Sequence, residues 1–112
     1  MKPNRHDSQQ HRTRAENALF GAIVSMKNVP ECRNFFKDLC TPAELQALVD
    51  RWQAVERLQQ GLPYRQIHDL TGVSVTTIGR VARFLTDGFG GYATAIERTL
   101  PKSRRSKATR SH

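Results

Sequence analysis

The segment from Tyr64 to Arg83, YRQIHDLTGVSVTTIGRVAR, constrains the fold of this chain more than any other. It reads as a short helix over about residues 64–70, a turn at Thr71, Gly72 and Val73, and a second helix over about 74–86. Gly72 stands where the turn needs a residue at ease with positive φ. Ser74 is placed to accept a hydrogen bond from an unpaired amide in the first turn of the next helix. Ile67, Val73, Ile78 and Val81 form the apolar side that seats the two helices on each other and on the rest of the domain. This is a helix-turn-helix pattern, and it points to a DNA surface rather than to a reaction. The second helix turns Thr76, Thr77, Gly79, Arg80 and Arg83 mostly away from the apolar side. Hydroxyl, glycine and guanidinium groups on one open face suit base edges and phosphates. An ordinary helical corner with a solvated outer face is the competing reading of the same pattern.

Charge sharpens the picture by its distribution. The chain has 112 residues and a formal net charge of +8. Residues 1–14 carry net +3 and residues 101–112 carry net +5, so residues 15–100 balance to zero. The high pI is therefore no evidence for a basic folded face. Within the body, residues 62–85 set Arg65, Arg80 and Arg83 against Asp69, which makes the helix-turn-helix locally positive. Both termini lack periodic apolar residues, and residues 1–14 and 101–112 are expected to be disordered basic tails. They suit non-specific, salt-dependent contact with phosphates, Lys102–Arg110 above all. Solubilising extensions are the plainer reading of both.

The length allows one small domain plus those tails. Cys32 and Cys40 fall on an apolar stripe with Phe35, Phe36 and Leu39 and read as buried small hydrophobes. No histidine or cysteine spacing suits a metal. No signal peptide and no long apolar run is present, so a cytoplasmic location and no membrane partner are expected. The glycines of Gly88-Phe-Gly-Gly-Tyr92 read as a flexible joint. No lysine follows them and no strand precedes them, so they do not read as a phosphate loop. No paired carboxylates, no nucleophile beside a base and no metal cluster are set out, which excludes an enzyme from the reading.

Helical periodicity runs through the whole body, and no strand pattern survives. Ala15, Ala18, Leu19, Ala22, Ile23 and Met26 make one stripe, widened by Phe20 and Val24, so the first helix reads as buried on two sides. Asn28-Val29-Pro30 is expected to end it. A second helix follows over about 31–39. Thr41, Pro42 and Glu44 mark a strong third start, a capping box with proline in the first turn. Gly61 stops that helix, whose buried face is expected to be Leu45, Leu48, Val49, Trp52, Val55 and Leu58. A last helix covers about 91–100. The first helix is apolar over more surface than five short partners need, which suggests a symmetric homodimer.

These residues resemble a known family. Residues 29–99 are similar to the Trp repressor superfamily, and most of all to its YerC/YecD-type, TrpR-related branch. The segments that carry the resemblance are ECRNFFKDLCTP at residues 31–42, RWQAVERL at 51–58 and Gly61 through Arg83. The resemblance implies an all-α, six-helix TrpR-like domain over residues 15–100 in an intertwined homodimer, with a DNA-reading head in each subunit. It implies DNA contacts at Arg65, His68, Val75, Thr76 and Gly79, with Thr77, Arg80 and Arg83 beside them. Arg65 would hold phosphate, Val75 would touch a thymine methyl, and Thr76 would bond a base edge directly or through water. His68 stands where such motifs prefer a small residue. It either alters the packing of its helix or turns to the backbone.

The resemblance also brings a small effector into view. Tryptophan-responsive members hold L-tryptophan with residues that match Thr41, Arg51 and Arg80 here. One arginine can clamp a carboxylate in two-point fashion while another lies against an aromatic ring. The sequence departs from that pattern at two places. Val81 replaces a glycine that leaves room for the indole, and Phe84 replaces a small polar residue near the ligand's amino group. No cofactor is therefore expected. Thr41 then serves as a cap, Arg51 as an interhelical ion-pair partner and Arg80 as a phosphate contact. The expected function is a sequence-specific DNA-binding transcription regulator, a repressor acting as a homodimer on double-stranded DNA. The alternative is a non-specific nucleic-acid-binding or protein-interaction module driven by the basic tails.

Overall fold

The computed structural model describes residues 5–100. They form six helices: α1 (Arg5–Val24), α2 (Val29–Leu39), α3 (Pro42–Gln59), α4 (Tyr64–Thr71), α5 (Val75–Asp87) and α6 (Gly91–Thr99). The chain divides into two compact units between Leu45 and Gln46.

In the first unit, α1 begins at Arg5, so residues 5–14 are helical and not part of a disordered tail. Those residues lack apolar periodicity but also lack any glycine or proline, and their glutamines and arginines are good helix formers. Propensity thus carries the helix upstream of its apolar stripe. The expected C-terminal tail, 101–112, lies outside the described residues. Helix α1 stops at Val24, with the Ser25 hydroxyl donating to the Ala22 carbonyl at 2.7 Å. That is four residues ahead of Asn28, and the Asn28-Val29-Pro30 segment opens α2 instead of closing α1. The Asn28 side chain accepts from the Glu31 amide at 2.9 Å, and the Glu31 carboxylate accepts from the Lys27 amide at 2.9 Å. Pro30 sits in the first turn, where its missing N–H costs nothing.

No side chain of residues 8–45 is buried. Leu19, Ala22, Ile23 and Met26 are half-covered, but Phe20 and Val24 remain exposed at 55% and 81%, contrary to burial on two sides. Cys32 and Cys40 are half-covered free thiols rather than buried ones. Phe35 and Phe36 meet edge to face with centroids 5.7 Å apart, while Leu39 is half-exposed. The periodicity of these helices is genuine, but one copy of the chain leaves their apolar faces in solvent.

Helix α3 opens on the expected capping box. The Glu44 amide donates to the Thr41 hydroxyl at 3.1 Å, and the Thr41 amide donates to the Glu44 carboxylate at 2.8 Å. At its other end Gly61, at φ 80°, closes a Schellman motif. There Gly61 N–H donates to the Leu58 carbonyl and Leu62 N–H to the Arg57 carbonyl.

Among the described residues the second unit holds the whole of the buried core. Ala54, Val55, Ile67, Val73, Ile78, Val81 and Ile96 are buried, and Trp52, Leu58, Leu62, Leu85, Tyr92 and Leu100 pack against them. The expected face of α3 is thus only half right. Val55 is buried and Trp52 and Leu58 are partly so, but Leu48 and Val49 are 40% and 45% exposed. Trp52 and Tyr92 tie α3 to α6 with ring centroids 6.4 Å apart. The last joint is less loose than its glycines suggest. Gly88 N–H donates to the Phe84 carbonyl at 3.0 Å, and a Cβ on Gly88 would collide with that carbonyl. Gly90, at φ 86°, is the N-cap of α6.

Candidate nucleic-acid interface

Helices α4 and α5 pack directly against each other, and their hinge is built from local hydrogen bonds. Gly72 ends α4 in the left-handed region, at φ 78°, and its N–H donates to the His68 carbonyl at 2.8 Å. The Thr71 hydroxyl donates to the Ile67 carbonyl at 2.6 Å and accepts from the Val73 amide at 3.1 Å. His68 Nδ1–H donates to the Val73 carbonyl at 2.8 Å. His68 thus braces the turn from the helix before it, through the protein's own main chain. Ser74 then caps α5, accepting from the Thr77 amide at 3.1 Å while its hydroxyl donates to Thr77 Oγ1 at 3.0 Å. Val73 is the apolar pin of the turn, at 1% exposure.

This hinge fixes which side of α5 faces out. Ile78 and Val81 point into the core at 0% and 1% exposure. Val75, Thr76, Arg80 and Arg83 are exposed, and Thr77 and Gly79 are half-covered. Helix α4 adds exposed Arg65 and His68. Neither Arg65 nor Arg83 makes a hydrogen bond or ion pair among the described residues. Their charge is therefore uncommitted among the described residues.

Two aromatic side chains join this face: Tyr64, which the sequence did not mark as a site residue, and Phe84, which it marked only as a departure from the tryptophan pocket. Tyr64, the first residue of α4, is 42% exposed, and its ring edge lies against Gly79 of α5. A Cβ on Gly79 would sit 3.8 Å from Tyr64 Cε2, an ordinary contact distance. Phe84 lies one turn after Arg80, and the Arg80 guanidinium stacks over its ring at 4.9 Å from the centroid. The signal for Tyr64 was its place immediately before Arg65. The signal for Phe84 was its spacing of four from Arg80, the interval at which helix side chains meet.

The three effector candidates are differently placed. Thr41 lies in the first unit, with its hydroxyl and amide both engaged in the α3 capping box. Arg51 and Arg80 lie in the second unit. Arg51 is half-covered and makes no ion pair among the described residues. Arg80 rests on Phe84. Val81 is fully part of the core, and so does not line an open slot. Among the described residues no cluster of histidine, cysteine or acidic side chains could hold a metal ion. No described helix is long and apolar enough to cross a membrane.

An all-α domain of six described helices, with a helix-turn-helix between its third and last, defines the class of this protein. The family model for the Trp repressor protein matches residues 15–100. The chain belongs to the Trp repressor family, whose members are regulators and not enzymes. It is 42% identical over 80 residues to the uncharacterized protein YerC of Bacillus subtilis (strain 168), covering 71% of this chain and 77% of that one. Two solved structures share the fold at a TM-score of 0.74 each. One is a candidate Trp repressor from Staphylococcus aureus, 39% identical, with 80% of this chain and 90% of that chain covered. The other is a TrpR-like protein from Eubacterium eligens ATCC 27750, 38% identical, covering 80% and 93%.

Proposed function

We propose that this protein is a cytoplasmic, sequence-specific DNA-binding transcription regulator, a repressor, that acts as a homodimer and needs no tryptophan. The observation that carries the reading is the sidedness of α5. Its core side is closed by Ile78 and Val81, and its outer side presents Val75, Thr76, Gly79, Arg80 and Arg83 beside Arg65 of α4. A helix so equipped fits the major groove, with arginines on phosphates or guanine and Thr76 and Val75 on base edges. Thr77 contributes through the cap it shares with Ser74, and His68 through the turn it braces.

The homodimer is supported by apolar side chains that one chain leaves in solvent. Phe20, Val24, Val29, Leu39, Leu48 and Val49 are all at least 40% exposed. Large apolar side chains left open in this number suit a surface that a partner covers. A two-fold dimer would set the two heads about one DNA turn apart, roughly 34–36 Å, the spacing used by helix-turn-helix dimers, Trp repressors among them. The burial of Val81 and the pairing of Arg80 with Phe84 support independence from tryptophan.

The test is selection of bound sites from random DNA by the full-length protein, with and without L-tryptophan. A two-fold symmetric site enriched in both conditions is the expected result. Enrichment only with tryptophan would make the protein an effector-dependent aporepressor. Binding without any enriched site would favour the other reading, a module driven by the termini, which carry net +3 and +5.

A further inference from the structure

We propose that Phe84 is a positioning residue for Arg80, holding the guanidinium over its ring so that its free N–H donors are ready for DNA before DNA arrives. The inference rests on the reading of α5 as the DNA-contacting helix. In it, an aromatic ring built into the chain presets the recognition arginine, and no free aromatic ligand is needed.

Arg80 and Phe84 are four residues apart on α5, so their side chains share one face. The guanidinium carbon lies 4.9 Å from the ring centroid, inside the range of about 6 Å over which a cation is attracted to a ring face. A cation–ring contact uses the charge of the guanidinium and not its hydrogen-bonding capacity, so N–H donors remain for the fork that recognises phosphate or guanine. Arg80 makes no hydrogen bond or ion pair among the described residues, so that fork is uncommitted. Phe84 is 36% exposed and lines a shallow apolar recess with Gly88, Phe89, Gly91 and Tyr92. Gly88 is the residue at which a Cβ would strike the Phe84 carbonyl, so the end of α5 is closely shaped around this residue. Val81, next to Arg80, is locked in the core at 1% exposure, which fixes the helix rotation that aims Arg80 outward.

Stacking restricts the arginine to few rotamers, so less freedom is lost when the fork engages DNA. The expected size is small and measurable. A cation–ring contact at an exposed site corresponds to about a two- to five-fold change in affinity.

The experiment is a double-mutant cycle on the full-length protein, read by binding to its selected operator duplex and to random duplex. The variants are Phe84→Leu, Phe84→Tyr, Arg80→Ala and the pair Phe84→Leu with Arg80→Ala. Phe84→Leu is expected to weaken operator binding about two- to five-fold. Phe84→Tyr should bind as the natural protein does, because the ring face is kept. Once Arg80 is alanine, Phe84→Leu should cost nothing further. NMR of the Arg80 side chain in the free protein supplies a readout that packing alone would not move. Its protons should be shifted by the ring current in the natural protein and in Phe84→Tyr, but not in Phe84→Leu. Equal operator affinity for Phe84→Leu and the natural protein would overturn the assignment. So would a loss of the same size with and without Arg80, which marks mere packing. If the natural protein selects no site at all, the DNA reading itself falls, and this assignment with it.

Discussion

Gly79 of α5 faces the ring edge of Tyr64 of α4, and a methyl group added to Gly79 would meet Tyr64 Cε2 at 3.8 Å without conflict. Among the described residues nothing therefore requires a glycine there, although a glycine in a helix interior costs roughly 0.5–1 kcal/mol against alanine. A residue kept small without an internal reason, on the outer side of this helix, fits a surface that another molecule approaches closely.

Gly79→Ala is thus expected to separate stability from binding. The fold should gain roughly 0.5–1 kcal/mol, seen as a higher unfolding midpoint. Affinity for the operator should fall. Unchanged operator affinity in a stabilised variant would remove close DNA approach as the reason for this glycine.

The hinge offers the opposite case. Gly72 holds φ at 78°, and alanine there should cost roughly 1–2 kcal/mol. Ser74→Ala removes the acceptor for the Thr77 amide and should cost about 1 kcal/mol. Chemical denaturation measures both, and a Gly72→Ala variant as stable as the natural protein would show that the turn is not held in this conformation.

His68 supplies a third check. Its Nδ1–H bond to the Val73 carbonyl is local, and His68→Ala should cost about 1 kcal/mol, the usual net worth of one such bond. The accompanying loss of DNA affinity should be similar for operator and random duplex, because the turn and not a base contact is disturbed. A change of preference at one operator position would instead make His68 a direct reader.

Arg65→Ala and Thr76→Ala should differ in kind. Arg65, exposed at the start of α4, should weaken binding to all DNA and lower the salt slope by about one. Thr76→Ala should relax the preference at one position per half-site. Titrations of operator and random duplex at several salt concentrations decide it, and identical effects of both changes on both duplexes would end the base-reading model.

The homodimer is tested by sedimentation. Phe20→Glu and Leu39→Glu place charges on faces that are 55% and 50% exposed in one chain. They should convert a two-chain species into a one-chain species and lower cooperative operator binding. A natural protein that sediments as a single chain at micromolar concentration would exclude the dimer.

The helix-turn-helix was legible in the sequence nearly residue for residue, because its signals are short-range. Gly72, Ser74, Ile67, Val73, Ile78 and Val81 act within one turn or across one hinge, and each does in the structure what its type implies. The capping box of α3 and its glycine stop were legible for the same reason. The start of α1 was not, because polarity in residues 5–14 resembles disorder when helix propensity is left uncounted. The end of α1 was misplaced because Asn28 and Pro30 serve equally to stop one helix or to start the next.

By itself the sequence determined the all-helical class, the caps and the inward side of the helix-turn-helix, since these depend on periodicity and on neighbours a few residues away. Only the tertiary structure decided which apolar residues are covered. Periodicity marks Phe20, Leu39, Leu48 and Val55 alike, yet burial requires enough partners in space, and of these Val55 alone is fully buried among the described residues. It also decided that Arg80 rests on Phe84 and that His68 turns to the Val73 carbonyl. A side chain's type states what it can bond, and only its rotamer and surroundings select among those bonds.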